Sequence, residues 1–205
     1  AASVGESLAV LPLAERLNAE GLNVLITSGT VTSARVLEKR LPAGMLHQFV
    51  PIDRPSAVRR FLDHWRPDMA IWVESELWPN LVLAAAARAI PMAMVNARMS
   101  ERSARRWRHM PRLIAPLLGA FGACLAQSEA DGKRLQELGA KSVILAGNIK
   151  YDAAPLPVDE TALDKLQLEI GERPHWLAAS THPGDEAAAA EAHMALAGAI
   201  PGLLT

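Results

Sequence analysis

Residues 3–6, with the sequence S-V-G-E, combine small, flexible and acidic side chains directly before an amphipathic stretch. Gly5 would let a ligand approach the backbone, and the N-terminus of a following helix would offer free N–H donors. The segment predicts either a ligand site that includes Glu6 or an acid in the first helical turn, where it complements the helix dipole. The pattern G-x-G-x-x-G is missing, which excludes a dinucleotide fingerprint.

Residues 74–80, with the sequence E-S-E-L-W-P-N, follow an apolar run of strand length. If the strand geometry continues, the side chains of Glu74 and Glu76 point to one face. Two carboxylates so near each other repel, and the arrangement is unfavourable unless they bind a cation or hydroxyl groups. The alternative is a solvated loop that leads into the next helix, with Pro79 in its first turn. The residues leave both interpretations open.

Residues 96–112 carry an unusual local charge. Six arginines and one acid, Glu101, lie between residues 98 and 112, so this window has a charge of about +5. The apolar side chains that interleave with them are Trp107, Met110, Leu113, Ile114 and Leu117. A basic helix with apolar neighbours is typical of an element at a membrane surface or on an anionic ligand. The alternative is a solvated helix face above a buried apolar stripe.

The sequence lacks the residues that a disulfide, a metal site or a serine hydrolase would need. The single cysteine, Cys124, excludes an intramolecular disulfide and a four-cysteine zinc site, and its apolar neighbours predict a buried side chain. His175, His182 and His193 lack the i, i+4 spacing of a helical metal pair, and H-E-x-x-H is missing, so no metal site is predicted. The missing G-x-S-x-G pattern leaves a serine hydrolase unsupported.

The elements that must position these segments alternate between short apolar runs and amphipathic stretches. The predicted strands are residues 23–27, 45–50, 69–73, 92–95, 123–126 and 143–146. The predicted helices are residues 7–19, 32–40, 57–65, 81–87, 101–118 and 129–138. Apolar strands separated by helices favour a parallel sheet covered on both faces, in a Rossmann-like doubly wound α/β domain. Ligands bind beyond the carboxyl ends of such strands, where the three segments fall.

The composition changes after residue 152. Residues 153–157, A-A-P-L-P, are typical of a stiff extended linker. A helix at 160–170, a strand at 176–179, a loop at 180–185 and a helix at 186–199 then predict the start of a second α/β unit. Because this piece cannot bury its own sheet face, we expect a fragment, with one strand before the first loop and another after the last turn.

The composition narrows the class of protein. The chain has 205 residues with 21 basic and 22 acidic side chains, so its net charge of -1 excludes a globally basic nucleic-acid binder. No segment reaches the roughly 20 apolar residues of a membrane helix. The longest candidate, residues 81–95, is interrupted by Arg88 and Pro91. The N-terminus also lacks a basic and apolar signal, so the sequence predicts a soluble chain.

Taken together, six ordered segments resemble the 3-deoxy-D-manno-octulosonic acid (Kdo) transferase family of Gram-negative lipid A assembly. They are AASVGE at 1–6, ESELWPN at 74–80, NARMSERS at 96–103, AQSEADGKRLQELGA at 126–140, GNIKYD at 147–152 and STHPGDE at 180–186. The resemblance spans the whole chain. It implies a two-domain GT-B glycosyltransferase fold without a metal or other cofactor. Residues 1–152 would be the acceptor domain, 153–174 a linker and connecting helix, and 175–205 the truncated start of the donor domain.

The resemblance also implies a reaction and a place for it. Kdo would pass from CMP-Kdo to a lipid A precursor with inversion, at the cytoplasmic face of the inner membrane in the parent protein. We expect the family's membrane anchor, its first strand and most of its CMP-binding domain to lie outside this sequence. Ser75 and Asp185 stand where many relatives are expected to have Thr and Glu.

Site residues follow from the matching motifs. Glu6 would accept the proton of the attacking hydroxyl. The residues expected to hold the acceptor are Ser3, Gly5, Glu74, Glu76, Asn96, Arg98 and Arg102. The residues expected at the donor phosphate or the Kdo carboxylate are Ser180, Thr181 and Gly184. The arginines would also meet the lipid phosphates and the anionic membrane surface.

Two alternatives remain. One is a non-catalytic membrane-surface module built on residues 98–112. The other is a nucleotide-sugar epimerase of related architecture, against which the E-S-E-L-W-P and N-A-R strings argue.

Overall fold

The computed structural model describes residues 3–152 and 158–205 of the chain. The chain divides into two compact units, Ala1–Ala154 and Pro155–Thr205. In the first unit the elements are α1 (Val4–Ala19), β1 (Leu25–Ser28), α2 (Val31–Arg40), β2 (Leu46–Phe49), α3 (Pro55–Trp65), β3 (Ala70–Val73), α4 (Pro79–Ala87), β4 (Met92–Ala97), α5 (Glu101–Trp107), α6 (Pro111–Gly119), β5 (Ala123–Ala126), α7 (Glu129–Glu137), β6 (Val143–Leu145) and a 3₁₀ helix (Ile149–Asp152).

All strand pairs in the first unit are parallel, as predicted. β1 pairs with β2, and β3, β4, β5 and β6 pair in that order. A bulge interrupts the pairing of β4 with β5 between Met94 and Ala97, next to the candidate residue Asn96. Within the described residues, β1 and β3 belong to separate sheets, and a cavity of about 50 Å³ is lined by residues of both strands. Residues 74–80 follow β3, and Arg98 and Arg102 follow β4, so two of the three candidate segments lie at the carboxyl ends of neighbouring parallel strands.

Two apolar cores support these sheets. The larger core surrounds β3, β4 and β5, where Trp72 meets Phe121 edge to face with ring centroids 5.4 Å apart. Cys124 is fully buried there, as predicted, and burial raises the pKa of its thiol to about 11. A smaller core joins α1, β1 and α2 through side chains such as Leu11 and Ile26.

The helix predicted at residues 101–118 is wrong in one respect, because the structure has two helices there. Pro111 takes the first position of α6, where its missing N–H is not needed. The residue before a proline disfavours the α conformation, and Met110 accordingly has φ -128° and ψ 54°. The basic segment therefore spans a bend between α5 and α6.

The second unit contains α8 (Glu160–Ile170) and α9 (Asp185–Ala197), and neither helix has a buried residue. The strand predicted at residues 176–179 is wrong. Among the described residues of this unit, the only strand-like pairing is an isolated parallel bridge between His175 and Leu204. A ladder needs successive backbone groups to be paired, and one bridge does not provide that. The assignment of this unit as the beginning of a donor domain stays a prediction.

Candidate functional site at the carboxyl edge of the sheet

Glu6 lies in the first turn of α1, which begins three residues earlier than predicted. Ser3 is the N-cap, and its Oγ accepts a hydrogen bond from the Glu6 backbone N–H at 3.2 Å. The same hydroxyl donates to Glu6 Oε1 at 2.9 Å, so Ser3 contacts both the backbone and the carboxylate of Glu6. Glu6 is only 8% exposed, and its place in the first turn puts its carboxylate at the positive end of the helix dipole.

The first turn of α1 is open on the side of Gly5. Within the described part of the chain, a Cβ added to Gly5 would meet only Ser3 Oγ, at 4.0 Å. Its backbone therefore has the room beside it that the sequence argument required for a ligand. Ser7 closes the other side, since it is fully buried and donates its hydroxyl hydrogen to the Ser3 carbonyl at 2.9 Å.

Glu74 follows β3 directly and leaves the strand conformation, with φ of +58°. Its Oε1 lies 2.7 Å from Lys150 Nζ and accepts a longer hydrogen bond from Asn96 Nδ2, at 3.4 Å. Asn96, near the end of β4, also has a positive φ of +53° and is 1% exposed. Two neighbouring strands thus end in strained non-glycine residues whose side chains touch. Such backbone outliers cluster at functional sites.

The strand geometry that would place Glu74 and Glu76 on one face does not continue, because β3 ends at Val73 and residues 74 and 75 form a turn. Trp78 Nε1 donates to Glu76 Oε2 at 2.9 Å, and Glu76 lines the cavity beside β1 and β3. The two carboxylates avoid repulsion because each has its own donor. The prediction that Pro79 lies in the first turn of α4 is confirmed.

A hydrogen bond joins the second and third candidate segments. The Ser75 hydroxyl donates to the carbonyl of Arg98, whose own side chain is exposed. One residue later, the buried backbone N–H of Met99 donates to Asp131 Oδ1 at 2.8 Å. The turn that carries Arg98 is therefore fixed from both sides, and Arg102 follows on the exposed face of α5.

An ion-pair network removes part of the predicted positive charge. Arg108 lies 2.8 Å from Glu137 and 3.4 Å from Glu101, and Arg134 Nε lies 3.0 Å from Glu101. The hydrogen bond from Arg134, helped by Arg108, lowers the pKa of Glu101. No ion pair is found within residues 3–152 for five arginines: Arg98, Arg102, Arg105, Arg106 and Arg112. These five side chains are exposed, and Met110 between the two helices is 46% exposed.

Three residues that shape this edge were missed by the sequence argument. Lys150 pairs with Glu74, and Asp131 holds the Met99 turn. Asp53 caps α4, since its carboxylate accepts the backbone N–H bonds of Asn80 and Leu81 at 3.1 and 2.9 Å. Only Asp131 has a local signal, the S-x-x-D capping pattern that begins at residue 128, because the other two act across long sequence separations.

The candidate donor residues lie in the second unit, at the N-terminus of α9. Gly184 is the N-cap with φ of +104°, and Ser180 also has a positive φ, of +57°. Thr181 Oγ1 donates to Glu186 Oε1 at 2.7 Å, and this bond lowers the pKa of Glu186. The loop thus opens the helix as predicted, while a role in binding a donor stays a prediction.

The described residues offer neither a metal-binding cluster nor a membrane-spanning helix. Residues 3–152 and 158–205 hold no group of three or more His, Cys, Asp or Glu side chains arranged to bind a metal. Over the same residues, no helix has the length and apolar character needed to cross a bilayer.

The sequence matches a known family over most of its first unit. Residues 1–153 match the family model described as 3-deoxy-D-manno-octulosonic-acid transferase (kdotransferase). The chain belongs to this family. The resemblance drawn from the six motifs is therefore confirmed, and with it the assignment to a transferase family that uses Kdo.

Curated relatives agree with this membership. The chain is 39% identical over 188 residues to the 3-deoxy-D-manno-octulosonic acid transferase of Rickettsia felis, with 91% of this chain and 40% of the relative covered. It is 34% identical over 212 residues to the enzyme of the same name from Haemophilus influenzae, with 100% and 49% covered. The chain thus spans less than half the length of these relatives.

Solved structures support the fold. A UDP-N-acetylglucosamine 2-epimerase superposes with a TM-score of 0.57 at 15% identity, covering 85% of this chain and 52% of that one. The UDP-GlcNAc 2-epimerase of Neisseria meningitidis superposes with a TM-score of 0.53 at 17% identity, covering 82% and 49%. At these identities the likeness concerns the fold alone. It agrees with the predicted Rossmann-like domain of GT-B type.

Proposed function

We propose that this chain is the acceptor-binding part of a glycosyltransferase that moves Kdo from CMP-Kdo to a lipid A precursor, with Glu6 as the general base. The observation that supports the proposal best is the buried carboxylate of Glu6, oriented by Ser3 at an open helix N-terminus in a chain of the Kdo transferase family. In the complete protein this chemistry would take place at the cytoplasmic face of the inner membrane.

The chemistry needs a base because a sugar hydroxyl is a poor nucleophile. As the acceptor oxygen forms a bond to the anomeric carbon of Kdo, its proton passes to the Glu6 carboxylate. The bond from that carbon to the phosphate oxygen breaks at the same time, and its electron pair leaves with CMP. Attack opposite the leaving group inverts the anomeric centre. Proton removal by a positioned carboxylate contributes about 10²-fold to 10⁴-fold.

The acceptor would be held by residues 74–76 and by the arginines that follow β4. Carboxylates such as Glu74 and Glu76 are suited to orient sugar hydroxyls, and Asn96 holds the first of them. The exposed side chains of Arg98 and Arg102 offer bidentate donors for lipid phosphates, a geometry that suits Arg better than Lys. The other unpaired arginines of this segment would face the anionic membrane surface.

The donor would contact the second unit. The backbone N–H groups at the start of α9 are suited to a phosphate or to the Kdo carboxylate, beside Ser180, Thr181 and Gly184. Because no residue of α8 or α9 is buried, we expect no donor pocket in the 205-residue chain and no turnover by the chain alone. Turnover of CMP-Kdo above background by this chain would contradict that expectation.

The proposal is tested by Glu6→Gln in a complete Kdo transferase that contains this chain. We expect the kcat for Kdo transfer to fall by about 10²-fold to 10⁴-fold while the amide keeps the packing of the first turn. The matched control is Glu15→Gln, which changes an exposed acid of the same helix and should leave kcat unchanged. Near-normal turnover by the Glu6→Gln enzyme would overturn the assignment of the base.

The exposed arginines favour a second function, a non-catalytic module that binds anionic membranes. Sedimentation with anionic and with neutral vesicles separates the two proposals. If Glu6→Gln retains full transfer activity, while Arg102→Gln with Arg106→Gln abolishes binding to anionic vesicles, the module is the better description. If Glu6→Gln abolishes transfer without changing vesicle binding, the catalytic proposal stands.

A further inference from the structure

The AQSEADGKRLQELGA segment at residues 126–140 has no role in the proposed function, yet it places the helix α7 close to the sheet. Gly132 allows this approach, since a Cβ at that position would lie 3.2 Å from Val143 Cγ1 and 3.6 Å from Ala126 Cβ. Leu135, one turn further along the helix, is fully buried. Because α7 packs against β5 and β6 in this way, its polar side chains have defined positions.

Two polar side chains of α7 hold the backbone of Met99, in the turn between β4 and α5. Asp131 Oδ1 accepts a hydrogen bond from the Met99 N–H at 2.8 Å, and Arg134 Nη1 donates to the Met99 carbonyl at 3.1 Å. Met99 is 2% exposed, and buried backbone groups need such partners. The carbonyl of the preceding residue, Arg98, accepts a hydrogen bond from the Ser75 hydroxyl. Side chains from two other segments thus hold two consecutive residues of the turn.

Arg134 makes two contacts with this region at once. While Nη1 donates to the Met99 carbonyl, Nε donates to Glu101 Oε2 at 3.0 Å, and Glu101 lies in the first turn of α5. A planar guanidinium presents these donors in a fixed arrangement, which the single ammonium of a lysine does not reproduce. Arg134 therefore joins the turn to the start of α5.

Arg98 combines a fixed backbone with an exposed side chain. No ion pair is found for it within residues 3–152. A long side chain loses conformational entropy when it binds an anion, and the loss is smaller if the backbone that carries it is already ordered. Supporting contacts that fix the backbone of an exposed cation are what an anion-binding group requires.

We propose that Arg134 is a positioning residue that fixes the turn of Arg98, so that the Arg98 guanidinium meets a phosphate group of the acceptor. This inference rests on the proposed function. Arg134 acts through the backbone of Met99 and touches neither the phosphate nor the reacting atoms. Without Arg134 the turn is free to move, so binding of the phosphorylated acceptor should weaken, whereas CMP-Kdo binding should not.

The test uses a complete Kdo transferase that contains this chain and two acceptors, the lipid A precursor and the same molecule after removal of its phosphate groups. The phosphate preference is the ratio of kcat/KM for the first acceptor to kcat/KM for the second. We expect Arg134→Met to lower this preference by about 10-fold, the effect of one hydrogen bond to a charged group, and to leave the KM for CMP-Kdo unchanged. Arg134→Lys keeps the charge without the planar donors and should recover little of the loss.

A loss of stability alone would lower the turnover of both acceptors and leave the phosphate preference unchanged. Two control variants should also keep the parent's preference. Lys133→Met removes a charge from an exposed position of α7, and Glu137→Gln weakens the exposed ion pair with Arg108 without touching the turn. If Arg134 acts through Arg98, the double variant with Arg98→Gln should show the same preference as Arg98→Gln alone.

Several outcomes would overturn the inference. They are an Arg134→Met enzyme with the parent's phosphate preference, full recovery by Arg134→Lys, multiplied losses in the double variant, and a raised KM for CMP-Kdo. A parent enzyme that does not distinguish the two acceptors would overturn it as well. In each case an inactive Glu6→Gln enzyme leaves the proposed base standing, whereas an active one refutes the proposed function first.

Discussion

Asp131 joins the helix α7 to the turn that carries Arg98, and its removal should be costly. Asp131 is 9% exposed, and its Oδ1 accepts the backbone N–H bond of Met99 at 2.8 Å. Met99 is itself 2% exposed, so water cannot replace the lost acceptor. The other carboxylate oxygen accepts from the Ser128 hydroxyl, whose oxygen accepts the Asp131 backbone N–H bond at 3.2 Å. One side chain thus contacts the N-cap residue of α7 and also makes a long-range contact.

The expected loss follows from these bonds. In Asp131→Ala, an unsatisfied buried N–H at Met99 costs about 1–3 kcal/mol, and the lost hydrogen bond from the Ser128 hydroxyl costs about 1 kcal/mol. The Ser128 cap on the backbone N–H of residue 131 remains. The free energy of unfolding should therefore fall by about 2–4 kcal/mol. For a chain of this size each kcal/mol corresponds to about 2–4 °C, so the Tm should fall by roughly 4–16 °C. Asp131→Asn keeps an oxygen acceptor for Met99 and should cost only about 1 kcal/mol.

Thermal and urea unfolding of the 205-residue chain, followed by circular dichroism, would measure these losses. The matched control is Glu129→Ala, which removes an exposed acid from the same first turn of α7 and should change stability by about 0.5 kcal/mol or less. The reasoning is refuted if Asp131→Ala is as mild as Glu129→Ala. It is also refuted if Asp131→Asn is as severe as Asp131→Ala, because the hydrogen-bond acceptor would then not be the reason for the loss.

Two further predictions concern titrating groups. Burial lowers the pKa of His47, and the nearby charge of Glu38 opposes part of this effect. Because the unfolded chain has the ordinary pKa of about 6.5, unfolding takes up a proton when the pH is below that value. The contribution of neutral His47 to the free energy of unfolding should therefore be fully present above that pH and should decline as the pH falls from 7 towards 5. A plot of Tm against pH for His47→Gln should lack this decline, and parallel plots for the variant and the parent chain would contradict the prediction. Because the pKa of Cys124 is raised to about 11, its thiolate at pH 8 should be about 100-fold scarcer than for an ordinary thiol. Labelling by a thiol reagent should accordingly be slow in the folded chain and fast in urea, and equal rates would show that Cys124 is accessible.

Local signals accounted for much of the first unit. Pro79 marked the start of α4, and the alternative that placed Glu6 in the first turn of a helix is confirmed, although α1 begins three residues earlier than predicted. The short apolar runs predicted parallel strands because a strand buried on both faces has no polar side to alternate with. The buried state of Cys124 followed from its neighbours in the same way. These properties depend on residues a few positions apart, so a single sequence reveals them.

Other local signals were present but were outweighed in the sequence argument. Pro111 marks the break between α5 and α6, yet the apolar spacing on both sides of it favoured one long helix. The end of β3 at Val73 had no comparable marker. In the structure the strand conformation ends where Glu74 takes a positive φ.

The sequence by itself determined the parallel α/β architecture, the family, and the segments from which a site would be built. The tertiary structure decided which of their side chains meet. Glu74 contacts Lys150, far along the chain, only because β3, β4, β5 and β6 lie in that order and end at one edge. Asp131 reaches Met99 for the same reason. Helix caps and strand periodicity act over a few residues, whereas contacts between strand ends depend on sheet order and on the path of every crossover.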